Sequence, residues 1–147
     1  MGINCKGDRA YEAVCEGRVV LDGFTERLTM PAALEAGERL LSFIEDVKNE
    51  LGRVRPAKIV ILLPESQERG TTHQRHMPRI MTETLIRVAA EQDGVPLELM
   101  HRATVRSRLG LGQRGSLDSH LDCLERRGNY WTTGRGLAAL AAATGSA

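Results

Sequence analysis

Gly2-Ile3-Asn4-Cys5-Lys6-Gly7 and Lys58-Ile59-Val60-Ile61-Leu62-Leu63-Pro64-Glu65 are the two stretches whose pairing decides the fold. The first reads as a β-strand running into a glycine turn. The second is a continuous apolar run ending at an acid, the pattern of a strand covered on both faces. Between them, residues 10–15 and 18–29 read as two further β segments separated by Glu16-Gly17. Apolar residues at Leu34, Leu40, Leu41, Ile44, Val47 and Leu51 then predict an amphipathic helix, which Gly52 and Pro56 end. This order sets the end of the first strand beside the end of the fourth, with Ile3 and Ile59–Leu63 in the core.

Downstream, a helix is expected from Pro78 to about Gln92, with Ile80, Met81, Leu85, Ile86 and Ala89 facing inward. Pro78 suits a first turn, where its missing N–H costs nothing. Asp93-Gly94 closes this helix, and Pro96-Leu97-Glu98-Leu99-Met100 reads as another strand. Strand–helix–strand over 58–100 predicts a parallel pair joined by a crossover. A short helix near 103–109, a glycine-rich loop over Gly110–Gly115 and a helix near 117–127 follow. An alanine-rich helix over 134–143 comes last, anchored by Tyr130-Trp131. The 147 residues suit one domain spanning the whole chain. Its expected class is α/β: a mixed five-stranded sheet with helices on both faces, three antiparallel strands first and two parallel ones after.

A formal net charge of +1 argues neither for nor against a polyanionic partner. The distribution says more: residues 100–115 carry four arginines and no acid. A solvated face is the competing reading of that segment. Arg69, His73, Arg75, His76 and Arg79 cluster after Glu65, on a segment expected to lie over the carboxyl edge of the sheet. A phosphate-grasping loop and a polar surface loop both fit it. His73 and His76, spaced by three with no cysteine near, are a weak metal signal. Three widely spaced cysteines outside any C-x-x-C pattern argue against a zinc site and a disulfide framework. With no apolar run of membrane-spanning length, the expectation is a cytoplasmic protein with no membrane partner. Aromatic residues are scarce, so recognition of nucleic acid would rest on phosphates and duplex shape more than on stacking.

The element order and several local words resemble the RuvC-like branch of the ribonuclease H-like superfamily, which contains Holliday-junction resolvases. Gly-Ile-Asn-Cys-Lys-Gly is similar to that branch's Gly-Ile-Asp-Pro-Gly. The strand ending in Glu65, the passage ending at Met100, and Thr104-Val105-Arg106 before a glycine-rich loop carry the rest. The resemblance covers most of the chain. It implies a mechanism with two Mg²⁺ ions about 4 Å apart, held by hard oxygen ligands. Those ligands come from the first strand, the fourth strand and the last helix. On this pattern Glu65 is a catalytic and metal-binding residue, while Asn4 stands at the first acid position and is the catalytic candidate there. Thr133 and Gly136 stand where the last helix should supply carboxylates. An amide oxygen can touch Mg²⁺, but it brings no charge.

Other acids are candidates to compensate. Asp8, four residues beyond Asn4, is a possible catalytic and metal ligand; its competing role is that of a turn residue after Gly7. Asp118 and Asp122 would share one helix face. Their competing reading places Ser116 at an N-cap, Asp118 in the first turn and Asp122 in solvent.

Three functions fit. The first is a catalytically depleted RuvC-like protein that binds structured or duplex nucleic acid through Arg69, Arg75, Arg79, Arg102, Arg106, Arg108 and Arg114. The second is an active magnesium-dependent endonuclease acting on structured DNA or RNA–DNA hybrid. The third is a ribonuclease H-like scaffold with a role unrelated to nucleic acid. The missing acids favour the first over the second, and the arginines favour the first two over the third. Magnesium belongs only to the second. Resolvases of this branch pair through a helix, which leaves a homodimer open here.

Overall fold

A computed structural model describes residues 1–32, 35–65, 73–112, 115–125 and 127–145, without the side chains of 73–75. Its strands are β1 (Gly2–Lys6), β2 (Arg9–Ala13), β3 (Cys15–Glu16), β4 (Val19–Val20), β5 (Arg27–Thr29), β6 (Ile59–Leu62) and β7 (Leu97–Met100). Its α-helices are α1 (Ala36–Val54), α2 (His73–Gln92), α3 (Arg102–Leu109) and α4 (Gly136–Thr144). The five-stranded sheet has the order β5-β2-β1-β6-β7. β1 pairs antiparallel with β2 and parallel with β6, which sets Asn4 opposite Leu62. Residues 2–7 and 58–65 are therefore neighbours at the centre of the sheet.

The apolar run of β6 divides between two cores. Ile59 and Ile61 join Ile3, Phe43, Val47 and Ile86 on the face covered by α1 and α2. Val60 and Leu62 join Trp131 and the alanines of α4 on the other. Covering both faces is why this strand has no polar alternation. The alanines of α4 let its backbone press onto β1. A Cβ on Gly2 would lie 1.9 Å from the carbonyl oxygen of Ala138, so only glycine fits there.

Several local expectations need correction. Residues 18–29 do not form one strand: β4 pairs with β3 in a separate ladder, and only β5 reaches the sheet edge. Gly23, with φ at 85°, turns the chain between them. Thr25 binds Glu50 through its hydroxyl at 2.7 Å, and Arg53 donates to the Gly23 carbonyl at 3.1 Å, which draws this loop onto α1. Helix α2 begins at His73, so Pro78 falls inside it and not in the first turn. The Thr82 hydroxyl lies 2.9 Å from the Pro78 carbonyl and 3.0 Å from that of Gly7, tying the helix to the β1–β2 turn.

Residues 117–127 give a 3₁₀ helix over Leu117–Cys123 instead of an α-helix. A π-helical turn, Trp131–Arg135, leads into α4. The Tyr130 carbonyl accepts the N–H groups of Thr133, Gly134 and Arg135 there. Trp131 is buried, whereas Tyr130 sits half exposed beneath the Arg27 guanidinium, 4.4 Å from its ring centre. Leu41 is 66% exposed. It lies about 160° round the helix from Phe43, off the Phe43–Val47–Leu51 stripe. Ile80 is likewise partly exposed, about 120° away from buried Ile86. Leu34 lies outside the described residues. Among those described, no helix is long and apolar enough to cross a membrane.

Candidate functional site

Because β1, β6 and β7 are parallel, their carboxyl ends share one edge, where ligands of open α/β sheets bind. A cleft of about 320 Å³ opens there. Asn4, Lys6 and Gly7 line it from β1 and its turn, and Pro64 from the end of β6. His76 and Arg79 enter from α2, Arg102 from the first turn of α3, and Asp118 from the 3₁₀ helix. Thr132 and Thr133 close it from the turn before α4.

Asn4 is buried, and its amide Nδ2 donates to the Gly134 carbonyl at 3.1 Å. A carboxylate at this position would set an oxygen against that carbonyl. Lys6 Nζ donates to the Thr133 carbonyl at 3.0 Å, so two successive carbonyls of this turn are tied to β1. Thr133 is exposed in the cleft. At Gly136 a Cβ would come within 2.8 Å of Leu121 Cδ2 and 2.9 Å of the Trp131 carbonyl oxygen. That position has no room for a side chain unless its surroundings shift.

Glu65 lies just beyond β6 and is 57% exposed. Arg102 Nη1 stands 3.8 Å from Glu65 Oε1 and 3.8 Å from Asp118 Oδ2. One guanidinium thus brings these two acids together. Asp8 is not among them: it sits in the exposed β1–β2 turn, 3.8 Å from Arg9, outside the cleft lining. Asp122 points to solvent and pairs with Arg127. In a 3₁₀ helix, residues four apart differ by about 120°, so Asp118 and Asp122 do not share a face. Ser116 does precede that helix, but its side chain makes no capping bond.

The arginines divide into distinct groups. Arg79 lines the cleft while pairing with Glu83 at 3.0 Å, and Arg102 lines it beside its two acids. Arg106 is buried and donates to the carbonyls of Gly112 and Gly115, which fastens the glycine-rich loop. Arg108 donates twice to Glu98, at 3.1 and 2.8 Å. Hydrogen bonds from Lys58 and then Arg108 hold the Glu98 carboxyl below its ordinary range. Arg69 and Arg114 lie outside the described residues, as do the side chains of His73 and Arg75. Lys6 escaped the sequence reading; its only signal is a lysine at a strand end before a glycine turn. Cys5 also borders the cleft, but burial, then the charge of Glu83, pushes its thiol up to about 12. It is no reactive thiolate.

Two magnesium ions need several anionic oxygens. Around Asn4 the described residues supply an amide, two threonine hydroxyls and the cations Lys6, Arg79 and Arg102. The acids within reach, Glu65 and Asp118, already face a guanidinium. Among the described residues no three His, Cys, Asp or Glu side chains converge. This donor set does not fit a magnesium pair.

The chain has the RuvC-type ribonuclease H-like fold, with its mixed five-stranded sheet. It is similar to the structure of T. thermophilus RuvC in complex with Holliday junction substrate, with a TM-score of 0.66 and 17% identity over 97% of this chain and 88% of that one. A second Thermus thermophilus RuvC structure gives a TM-score of 0.64 and 18% identity over 97% and 90%. No protein-family model matches the sequence, and no curated protein matches it.

Proposed function

We propose that this chain is a RuvC-like protein that binds the phosphates of structured or duplex nucleic acid and lacks magnesium-dependent cleavage. One observation carries the reading: the cleft at the carboxyl edge of the sheet is lined by Lys6, Arg79 and Arg102, with an amide at Asn4. Positive side chains suit a phosphodiester backbone. The similar RuvC structure bound to a Holliday junction supports nucleic acid as the partner class. Arg69, Arg75 and Arg114 remain in the proposed contact set. Arg106 and Arg108 leave it, because their donors already serve the loop and Glu98. Three free cysteines accord with a reducing cytoplasm.

A second reading, an active nuclease, rests on Glu65 and Asp118 converging on Arg102. Asp8 takes no part in that convergence. Binding to four-way junction, linear duplex and RNA–DNA hybrid across salt concentrations tests the first reading. Cleavage assays with Mg²⁺ and Mn²⁺, beside Glu65→Gln and Asn4→Asp, test the second. The expected result is salt-dependent binding without cleavage. Cleavage by the native chain that Glu65→Gln abolishes establishes the nuclease instead. Absence of binding at every salt concentration leaves the scaffold reading.

A homodimer completes the proposal. Met77, Ile80 and Val88 recur on one face of α2 and are exposed. Sedimentation equilibrium decides between one copy and two.

A further inference from the structure

Arg102 stands between two acids on separate elements, Glu65 and Asp118. Its 3.8 Å separations from Glu65 and Asp118 exceed hydrogen-bond length, so the attraction is coulombic and the geometry is not locked. Its Nε is buried and has no hydrogen-bond partner among the described residues. A guanidinium carries five N–H donors in a rigid fork. The approach to both acids is through one nitrogen, Nη1, which leaves the other donors uncommitted among the described residues. Around it, the described cleft lining holds the fixed cations Lys6, Arg79 and Arg102 against one acid, Asp118. Two hydroxyls, on Thr132 and Thr133, add hydrogen-bonding capacity to the same wall.

We propose that this cleft is a metal-independent phosphoryl site in which the Arg102 guanidinium takes the place of a divalent cation. Glu65 and Asp118 hold that guanidinium in position by charge. Its remaining donors, with Lys6 and the threonine hydroxyls, receive the oxygens of one phosphoryl group. Arg suits the task because its planar fork matches phosphate geometry and it stays charged at every accessible pH. A divalent ion entering the cleft would meet a resident positive charge and two acids already engaged by it. Binding of phosphate therefore gains nothing from Mg²⁺. The inference rests on the proposed nucleic-acid function only for its natural ligand, a backbone phosphodiester; the phosphoryl site itself can be tested separately.

The test uses the full chain and inorganic phosphate as the probe. Phosphate is titrated at constant ionic strength in EDTA, and the backbone amides of Lys6, Gly7, Thr132 and Thr133 are followed by NMR. Saturable shifts are expected in the native protein, unchanged when Mg²⁺ replaces EDTA. Arg102→Gln should weaken phosphate binding about tenfold, as the loss of one charge-assisted contact implies. Arg102→Lys, which keeps the charge, should retain part of it. In Arg102→Gln the exposed acids become open to a cation, so Mg²⁺ should restore part of the lost affinity. No saturable shift in the native protein, or a shift that requires Mg²⁺, overturns the site. So does equal binding by a folded Arg102→Gln variant. If that variant fails to fold, Mg²⁺ independence and the Arg102→Lys titration still decide. A parallel titration with duplex DNA separates the two claims. Phosphate binding without DNA binding supports the site and overturns the nucleic-acid function.

Discussion

The side-chain amide of Asn4 donates to the carbonyl of Gly134, 3.1 Å away and 130 residues further along the chain. It fastens the central strand to the turn that opens α4. Asn4→Asp preserves size but removes the donor and places two oxygens face to face in a buried setting. Leaving a buried acceptor unsatisfied costs about 1–3 kcal/mol. Urea unfolding should show a lower midpoint for Asn4→Asp at neutral pH. The deficit should shrink in acid, where a protonated carboxyl regains a donor. A deficit that is the same at both pH values contradicts this role.

Glu12 predicts how stability varies with pH. Its side chain is buried on β2, and Oε2 has no hydrogen-bond partner among the described residues. Burial, then the charge of Glu50, raises its pKa well above the ordinary 4.5, and Arg53 offsets part of that rise. The folded chain thus holds this proton more tightly than the unfolded chain. Its contribution falls as pH rises from the unfolded value toward the raised folded one. Glu50 acts with the opposite sign. Burial pushes its carboxyl up, but hydrogen bonds from Arg53 and Thr25 outweigh that and leave its pKa lowered. Its contribution is present above the ordinary carboxylate range and is lost as pH falls through the folded value. Glu12→Gln should therefore raise the Tm at neutral pH and flatten its decline above the ordinary carboxylate range, while Glu50→Gln lowers the Tm at neutral pH. Thermal melts from about pH 4 to about pH 9 check both signs.

The close approach of α4 to β1 depends on Gly2, where an added Cβ would lie 1.9 Å from the Ala138 carbonyl oxygen and 2.4 Å from the Ala142 nitrogen. Both obstacles are backbone, so no rotamer change relieves them. Overpacking of this kind costs about 1–3 kcal/mol. Gly2→Ala should lower the unfolding free energy by that amount and the midpoint with it, whereas Gly52→Ala, with open space around its Cβ position, should not. Equal midpoints for native protein and Gly2→Ala would show that the amino-terminal strand gives way locally.

What the sequence disclosed follows from how local each signal was. The apolar run at Ile59–Leu62 and the glycine turn after Lys6 are local, and they placed the two central strands correctly. The break in 18–29 depends on Glu50 and Arg53 of α1 reaching a distant loop, which no window along the chain reveals. Asp118 and Asp122 carry an α-helical spacing, yet the segment winds with three residues per turn. At the site, Glu65 and Asn4 could be picked out by their strand-end and opening positions. Arg102 between Glu65 and Asp118 joins three separate elements, and a run of arginines does not distinguish it from Arg106.

That last distinction is itself testable. Arg106 is buried, and its guanidinium serves the carbonyls of Gly112 and Gly115. Arg106→Ala should cost about 1–3 kcal/mol of stability through those unsatisfied groups. It should leave the slope of log affinity for duplex DNA against log salt unchanged. A lost phosphate contact, by contrast, reduces the magnitude of that slope by about 0.9. Arg108→Ala removes one exposed partner of Glu98, which keeps Lys58, so its stability effect should stay within about 1 kcal/mol. Unfolding midpoints and salt-dependent binding, measured on the same two variants, separate the roles. A flatter salt dependence in Arg106→Ala with an unchanged midpoint would move Arg106 from the loop to the phosphate backbone.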